Sequence, residues 1–418
     1  MRIDIPYLHE TLPLEIPDDN LIAIVQPRKL HIQETGMQIL QKALYGSGGS
    51  TSVDEFLKNA QRVLVIVNDA TRPTPTEAML TALLPALEKI SFSVFIATGA
   101  HRGPAENEYR QILGALYDKL RPVCTAHDAR SDAMVHLGST RNGTPVILSK
   151  RIAENDRIIV TGSVEPHYFA GFTGGRKAFL PGLAAFSTIE ANHKLALLPS
   201  ACSLALDGNP VHEDMIDALP LIKTPVFSLM TVLDRDHSIA FAASGDITDT
   251  FNAAVETARK IFCVPISKKA EVVISVARFP MDTDLYQSQK AIDNGALVLK
   301  DGGILILVSS CRNGVGDETY ADLLAQASSP HDALERISKS YKLGYHKAAK
   351  MAAVAARAKL VSVSQLGVQR LGSMFIEKAA SLQEAVKSAL CAFGAEAGII
   401  VLSDGCVTVP EIPYGIYP

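Results

Sequence analysis

The chain has 418 residues, of which 47% are hydrophobic, and a net charge of −4 at pH 7. This length exceeds one ordinary core and indicates two domains, or three. The charge gives no electrostatic reason to expect binding to nucleic acid or to an anionic membrane. The N-terminus has no basic stretch followed by an apolar one, and no apolar run reaches about 18 residues. We therefore expect a cytoplasmic protein without a membrane span.

Short runs rich in valine and isoleucine alternate with helix-length amphipathic stretches in the first half of the chain. Arg62–Val67 predicts a buried strand, and Thr76–Ile90 predicts a helix with Thr76 as its N-cap. Ser93–Ala97 and Arg157–Val160 predict further strands. Continuous apolar strands joined by helices indicate a parallel sheet that is covered on both faces.

The first 60 residues give a weaker pattern. Asp4-Ile5 and Leu21–Val25 predict edge strands. Gly46–Ser52 has the composition of a phosphate-binding loop, but no strand precedes it and the lysine of that motif is missing. We predict a flexible loop there.

A second alternating series follows. Glu271–Ser275 and Gly303–Val308 predict strands on either side of a helix at Asp284–Lys300. The helix Asp249–Phe262 ends just before Val264-Pro265, where we place the domain boundary. The predicted fold is α/β, with two tandem α/β domains of mostly parallel sheets at 1–265 and 266–418. We expect the active site in the cleft between them.

Polar residues follow each predicted strand, and ligands of open parallel sheets bind outside the carboxyl ends of the strands. The first domain places three such groups after strands, at Asp69-Ala70-Thr71-Arg72, Thr98–Arg102 with His101, and Gly162–His167. In the second domain Arg278-Phe279-Pro280 follows one strand, and Tyr286, Gln287 and Lys290 open the helix after it. We expect all of them to converge on one sheet edge or the cleft facing it.

Each of these residues has a structural alternative. Arg72 could pair with Asp69 at the surface. His101 could cap a helix or lie in the core. Gln287 and Lys290, three residues apart, could form a polar helix face only.

The segment Pro166–Gly182 is rich in glycine and ends with Arg176, Lys177 and an Ala-Phe-Leu-Pro-Gly run. Its glycines, at positions 171, 174, 175 and 182, predict positive φ, and consecutive N–H groups could form an anion-binding nest. It matches neither GxGxxG nor GxxxxGK[ST]. A structural hairpin or a mobile loop is the alternative.

His193 is a single histidine, whereas zinc sites need three or four protein ligands. It could bind a metal only if a cofactor supplied the other ligands.

Taken together, these residues resemble the lactate racemase family, whose enzymes use a nickel-pincer nucleotide. The matching pieces occur in the family's order over residues 69–290, at Asp69–Pro73, Thr98–Arg102, Pro166-His167, Gly174–Lys177, Asn192-His193 and Tyr286–Lys290. The resemblance implies racemisation or epimerisation of a small 2-hydroxy acid. It leaves open which acid is the substrate.

The resemblance also implies roles for individual residues. The nucleotide is a pyridinium whose two sulfur-bearing arms hold nickel, and it is attached covalently at Lys177, with His193 as the nickel ligand. Hydride passes from the α-carbon to this cofactor and back, while His101 and His167 exchange protons with the hydroxyl. The implied cofactor contacts are Asp69, Ala70, Thr71, Arg72, Gln287 and Lys290, and the implied substrate contacts are Arg72, Tyr286, Gln287 and Lys290. The cell's cofactor biosynthesis proteins would be partners.

Two alternatives remain. A nicotinamide-dependent 2-hydroxy acid dehydrogenase would need a glycine fingerprint after the first strand, and Asn68–Thr71 contains no glycine. A non-catalytic relative that binds a nucleotide or an acid is the other alternative, and the intact pair of histidines together with Lys177 argues against it.

Overall fold

The computed structural model describes residues 1–30, 32–46 and 51–412. These residues form two compact units. The continuous unit is Arg28–Ile261, and the discontinuous unit combines Met1–Pro27 with residues 262–412. Most of the predicted loop Gly46–Ser52 lies outside the described residues. Within the described ranges, no helix has the length and apolar character needed to cross a membrane.

Strands and helices alternate along most of the chain. In chain order, the strands are β1 (Arg2–Tyr7), β2 (Glu10–Glu15), β3 (Leu21–Val25), β4 (Arg62–Asn68), β5 (Ser91–Ala97), β6 (Cys124–Ala126), β7 (Met134–Ser139), β8 (Pro145–Ser149), β9 (Arg157–Ser163), β10 (Pro166–His167), β11 (Gly171–Phe172), β12 (Val226–Leu233), β13 (Ile239–Gly245), β14 (Cys263–Pro265), β15 (Ala270–Val276), β16 (Leu299–Val308), β17 (Lys359–Val363), β18 (Ile376–Lys378), β19 (Ile399–Leu402) and β20 (Val409–Glu411). The α-helices are α1 (Gly36–Tyr45), α2 (Val53–Phe56), α3 (Thr76–Leu87), α4 (Glu106–Leu113), α5 (Tyr117–Leu120), α6 (Phe186–Lys194), α7 (Pro210–Ala218), α8 (Ile247–Phe262), α9 (Leu285–Ala296), α10 (Glu318–Gln326), α11 (Pro330–Lys339), α12 (Tyr345–Ala355), α13 (Val368–Gly372) and α14 (Leu382–Phe393).

The main sheet of the continuous unit has the strand order β13-β12-β9-β4-β5-β6 and is parallel except for the β12–β13 pair. The predicted strands at 62–67, 93–97 and 157–160 are confirmed as β4, β5 and β9. Their apolar side chains are buried against helices such as α3. Thr76 is not the N-cap as predicted: it is the first helical residue, and Pro75 precedes it without a side-chain cap.

The discontinuous unit contains a fully parallel sheet with the order β18-β17-β16-β15-β19-β3. Its edge strand β3 comes from the start of the chain and pairs with β19, from Leu21 opposite Ile399 to Val25 opposite Leu402. The sequence prediction placed residues 1–27 in the first domain, whereas the structure places them in the discontinuous unit. The reason is the pairing of β3 with β19, two strands that lie near opposite ends of the sequence. The predicted boundary at 265 falls a few residues after the division at Ile261.

The strand order reverses once in each of these sheets. In the continuous unit, β5 and β6 lie on one side of β4, and β9 lies on the other. In the discontinuous unit the reversal falls between β15 and β19. Crevices at the carboxyl ends of such strands are where open α/β sheets bind ligands. The polar residues singled out in the sequence therefore follow strands at or beside these two positions.

Candidate functional site

Asp69 follows β4 and is hydrogen-bonded through both carboxylate oxygens. Oδ1 accepts from the backbone N–H of Thr71 at 3.2 Å and from its hydroxyl at 2.6 Å, and Oδ2 lies 2.7 Å from His101 Nδ1. Burial raises the pKa of Asp69, but the charge and hydrogen bond of His101, assisted by Arg72, outweigh burial and lower it to about 2. Asp69 is therefore ionised at neutral pH. It accepts the proton on His101 Nδ1, so the lone pair lies on Nε2 whenever the ring is neutral.

The pairing of Asp69 with His101 argues against the structural alternatives for His101 and for Arg72. The His101 side chain is 39% exposed and lies in the loop after β5, so it is neither a helix cap nor a core histidine. Asp69 pairs with His101 and not with Arg72, whose charge acts on Asp69 without a direct ion pair. Ala70, between them, packs its methyl group against the core of the unit. Asp69 and Thr71 thus form a hydrogen-bonded turn beside His101.

His167 lies just beyond β9, on the other side of β4 from His101. Its loop and the loop after β4 are joined by a hydrogen bond of 2.8 Å between Thr74 Oγ1 and Ser163 Oγ. The His167 ring is buried, and Nδ1 accepts from the backbone N–H of Ala170 at 3.2 Å. A neutral imidazole that accepts at Nδ1 carries its proton on Nε2. When both rings are neutral, the two histidines therefore present opposite proton states at Nε2.

Lys177 lies in the 3₁₀ turn Gly175–Ala178 that follows the short hairpin β10–β11. Gly174 and Gly175 have φ values of 82° and 53°, as predicted. Gly182 does not have positive φ; glycine is needed there because a Cβ would lie 2.2 Å from the Ala178 carbonyl oxygen. Of the segment Pro166–Gly182, only the first part forms a hairpin, in which Pro166-His167 pairs with Gly171-Phe172.

The glycine loop does not form the predicted anion-binding nest. The N–H of Gly175 donates to Met230 Sδ at 3.2 Å, and that of Lys177 donates to the Gly174 carbonyl at 3.2 Å. Arg176, predicted to add charge to the same site, is 1% exposed. It lies over the Phe251 ring and donates to the Ala170 carbonyl at 2.8 Å. Lys177 is consequently the cation of this pair that is not buried in the core.

His193 lies near the end of α6, and its ring orientation is fixed by Asn192. Asn192 Nδ2 donates to Asp214 Oδ2 at 2.9 Å, so its Oδ1 faces His193 Nδ1 at 3.1 Å. This assigns the His193 proton to Nδ1 and the lone pair to Nε2, which is the form in which imidazole binds a metal. Burial, then the charges of Lys177 and His101, lower the pKa of His193 to about 3. The ring is therefore neutral at pH 7.

Phe169 connects these side chains and was missed in the sequence. Its ring packs edge-on against His167, with centroids 4.5 Å apart, and against His193 at 5.1 Å. The Lys177 ammonium lies 5.5 Å from the same ring. The signal in the sequence was the consecutive His167-Tyr168-Phe169, but nothing in it indicated a contact with α6. Phe169 brings His167, Lys177 and His193 into one cluster.

Tyr286, Gln287 and Lys290 lie in the first turns of α9, in the discontinuous unit. Asp284 caps this helix by accepting from the Gln287 N–H at 2.7 Å. Burial, followed by nearby acidic groups, raises the pKa of the Tyr286 phenol, so it stays neutral. Lys290 is buried and donates to Met281 Sδ at 3.2 Å. Within its own unit, this group follows β15, beside the reversal of strand order.

Comparisons with known proteins cover both units. Residues 7–203 match the lactate racemase N-terminal domain, and residues 266–409 match the lactate racemase C-terminal domain. The chain is 30% identical to the lactate racemase of Thermoanaerobacterium thermosaccharolyticum, over 97% of this chain and 98% of that protein. It is 28% identical to the lactate racemase of Lactiplantibacillus plantarum, with the same coverage.

Solved structures agree with these matches. The apoprotein of the lactate racemase from T. thermosaccharolyticum superposes with a TM-score of 0.91 at 28% identity, and the alignment covers 98% of this chain and all of that one. A protein from Thermotoga maritima has the same fold, with a TM-score of 0.70 at 16% identity over 90% of this chain and 98% of that one. Two matching domains and near-complete coverage by named racemases lead to one conclusion: the chain belongs to the lactate racemase family and is an isomerase.

Proposed function

We propose that the chain interconverts the stereoisomers of a small 2-hydroxy acid, with lactate as the first substrate to test. The observation that carries the proposal is the pair of imidazoles on the two sides of β4, one with a lone pair on Nε2 and the other with a proton there. Inversion at a hydroxyl-bearing carbon needs a proton acceptor for one stereoisomer and a proton donor for the other.

His101 is the better-defined base of the pair. Its Nδ1 proton points to ionised Asp69, which stabilises the imidazolium formed when Nε2 takes up a proton. His167 holds its proton at Nε2, from which it can donate to the substrate oxygen. The reverse reaction would need the opposite arrangement of protons.

The residues of the Phe169 cluster fit the nickel-pincer nucleotide that we propose as the cofactor. Lys177 has an amine beside the Phe169 ring for covalent attachment, and His193 has a neutral ring with its lone pair on Nε2 for nickel, which imidazole suits. Asn192 and Asp214 would keep that ring in place. When bound, this group supplies the acceptor and donor of the hydride at the α-carbon.

Substrate and cofactor anions need cationic partners. We assign this role to Arg72, whose planar guanidinium binds a carboxylate or phosphate through two parallel hydrogen bonds. In the discontinuous unit Lys290 is the cationic candidate, Gln287 and Tyr286 are neutral hydrogen-bond donors for the same groups, and Asp69, Ala70 and Thr71 would contact the cofactor. We further propose that the protein works in the cytoplasm, where cofactor biosynthesis proteins would load it.

A chiral assay on protein produced together with cofactor biosynthesis proteins tests the proposal. Either enantiomer of lactate should be converted to a mixture of both, and other 2-hydroxy acids should be assayed in parallel. His101→Ala and His167→Ala should each lose the reaction in both directions, by about 10²- to 10⁴-fold, because every turnover uses both groups. His136→Ala, which changes an exposed histidine on β7, is the matched control.

Two results would count against the proposal. One is loaded protein that leaves every 2-hydroxy acid unchanged. The other is a His101 or His167 variant that keeps more than about a tenth of the activity, since removal of a general base costs far more.

A further inference from the structure

Asn209 lies outside the site residues named so far and is fully buried before α7. Its side-chain amide makes hydrogen bonds at both ends. Oδ1 accepts from the N–H groups of Val211 and His212, at 3.0 and 3.3 Å, which caps the helix. Nδ2 donates to the carbonyls of Phe169 and Ala205, at 2.9 and 3.0 Å. With acceptors on one side and donors on the other, the amide has a single orientation.

The Phe169 carbonyl belongs to the same peptide group as the Ala170 N–H. That N–H donates to His167 Nδ1 at 3.2 Å. A hydrogen bond to a peptide oxygen polarises the N–H at the other end of the group, because consecutive hydrogen bonds strengthen each other. Asn209, the 169–170 peptide and the His167 ring therefore form one chain of hydrogen bonds, entirely within the continuous unit.

The next peptide along the chain is held as well. Arg176 Nη2 donates to the Ala170 carbonyl at 2.8 Å. The backbone on both sides of the Ala170 Cα is thus fixed by a buried side chain, one from the residue before α7 and one from the turn that carries Lys177. This leaves the Ala170 N–H little freedom to turn away from the imidazole.

We propose that Asn209 is a positioning residue for His167: through the 169–170 peptide it holds the imidazole in place with its proton on Nε2. The Asn209 side chain makes its hydrogen bonds to backbone groups of the protein, and we assign it no contact with substrate or cofactor. The inference rests on the proposed function in one respect only, the catalytic importance of the proton on Nε2. The chain of hydrogen bonds does not depend on that function.

Asn209→Ser is the main test. Serine is also a good N-cap, so α7 keeps its cap, while the donor to the Phe169 carbonyl is lost. Asn209→Asp is the second variant, in case the first folds poorly, because it keeps the acceptor and replaces the donor by an oxygen. The matched control is Ser381→Ala, which removes the side-chain cap of α14 without touching this loop.

The first measurement is the ¹⁵N spectrum of the imidazoles in the apoprotein, with the His167 signals identified from a His167→Asn sample. The wild type should give the pattern of a ring protonated on Nε2, and both Asn209 variants should shift His167 toward a mixture of tautomers. The control should leave the His167 signals unchanged. An unchanged His167 pattern in Asn209→Ser and Asn209→Asp would overturn the proposal, whatever their activity.

The second measurement is racemisation by the loaded enzyme. A misplaced catalytic group can cost up to about 100-fold in rate, so kcat should fall in the Asn209 variants more than KM changes. If the tautomer shifts and kcat does not, the positioning by Asn209 stands and the catalytic role assigned to His167 falls. The two measurements thus separate failure of this inference from failure of the proposed function.

Discussion

Two histidine–aspartate pairs in the continuous unit show that the surroundings of the second ring nitrogen, Nε2, separate a structural histidine from a candidate base. His127 Nδ1 lies 2.8 Å from Asp132, much as His101 lies from Asp69. The His127 ring, however, is 1% exposed, and its Nε2 lies 3.0 Å from the Ala184 carbonyl oxygen. Both nitrogens of His127 are used inside the protein, which makes it a structural residue. His101 is partly exposed, which fits the role of a base that we propose for it.

The Asp69 carboxylate should make stability depend on pH at the acidic end. Its pKa in the folded protein is about 2, below the ordinary value of 3.8, so the stabilisation is present above pH 4 and is lost as the pH falls toward 2. Asp69→Asn should reduce the free energy of unfolding near pH 5 by about 1–2 kcal/mol, a figure discounted for the partial exposure of His101. Urea unfolding at several pH values measures this difference.

The difference between Asp69→Asn and the wild type should shrink as the pH falls through that range. Asp332→Asn is the control, because its carboxylate pairs with Arg336 at the surface of α11, where solvent screens the interaction. A difference for Asp69→Asn that stays constant down to the lowest pH would mean that the carboxylate charge contributes nothing.

At the scale of elements, the glycine turn after β11 determines where Lys177 lies. A Cβ on Gly174 would lie 2.6 Å from Val164 Cγ2, and the residue has φ of 82°. Gly174→Ala should therefore destabilise the protein and reduce the proposed attachment of the cofactor at Lys177, which intact mass after cofactor loading measures. Gly143→Ala is the matched control: its φ is 81°, but nothing lies within 4 Å of its Cβ position.

Gly143→Ala should be destabilised only by the left-handed backbone conformation at that residue, by about 1–2 kcal/mol. Gly174→Ala adds the steric clash to that cost. Equal stability and equal attachment in the two variants would show that the turn does not constrain Lys177.

The sequence was sufficient for those strands and helices whose signals are local. Continuous apolar runs predicted β4, β5, β9 and β15, and the polar residues after β5 and β9 made His101 and His167 candidate site residues. Contacts between distant segments left no such pattern. The packing of Phe169 against His193, the hydrogen bond from Asn209 and the pairing of β3 with β19 all join residues far apart in sequence. The burial of Arg176 was equally invisible, because a charged residue after glycines suggests a surface.

At the scale of the whole molecule, residues 1–27 should be essential to the discontinuous unit. Ile5, Leu14 and Ile16 from this segment are 0–2% exposed in its core, and β3 covers one edge of β19. Each large apolar side chain lost from a core costs about 2–5 kcal/mol. A fragment of residues 262–418 should therefore show no cooperative unfolding transition. A fragment of residues 28–261 should unfold cooperatively.

Heat unfolding followed by circular dichroism measures both fragments. Adding residues 1–27 to the first fragment through a short linker should restore its cooperative transition. Cooperative unfolding of residues 262–418 alone would contradict the assignment of the N-terminal segment to this unit.

The two ends of the continuous unit meet, since the Arg28 N–H donates to the Ile261 carbonyl at 2.8 Å. During synthesis, the first 27 residues leave the ribosome long before β19 is made. The continuous unit can fold as soon as Ile261 has emerged, because domains generally fold as units during synthesis. Its folding draws residues 27 and 262 together, which shortens the loop that must close before β3 reaches β19. Folding of the continuous unit thus lowers the entropic cost of pairing β3 with β19.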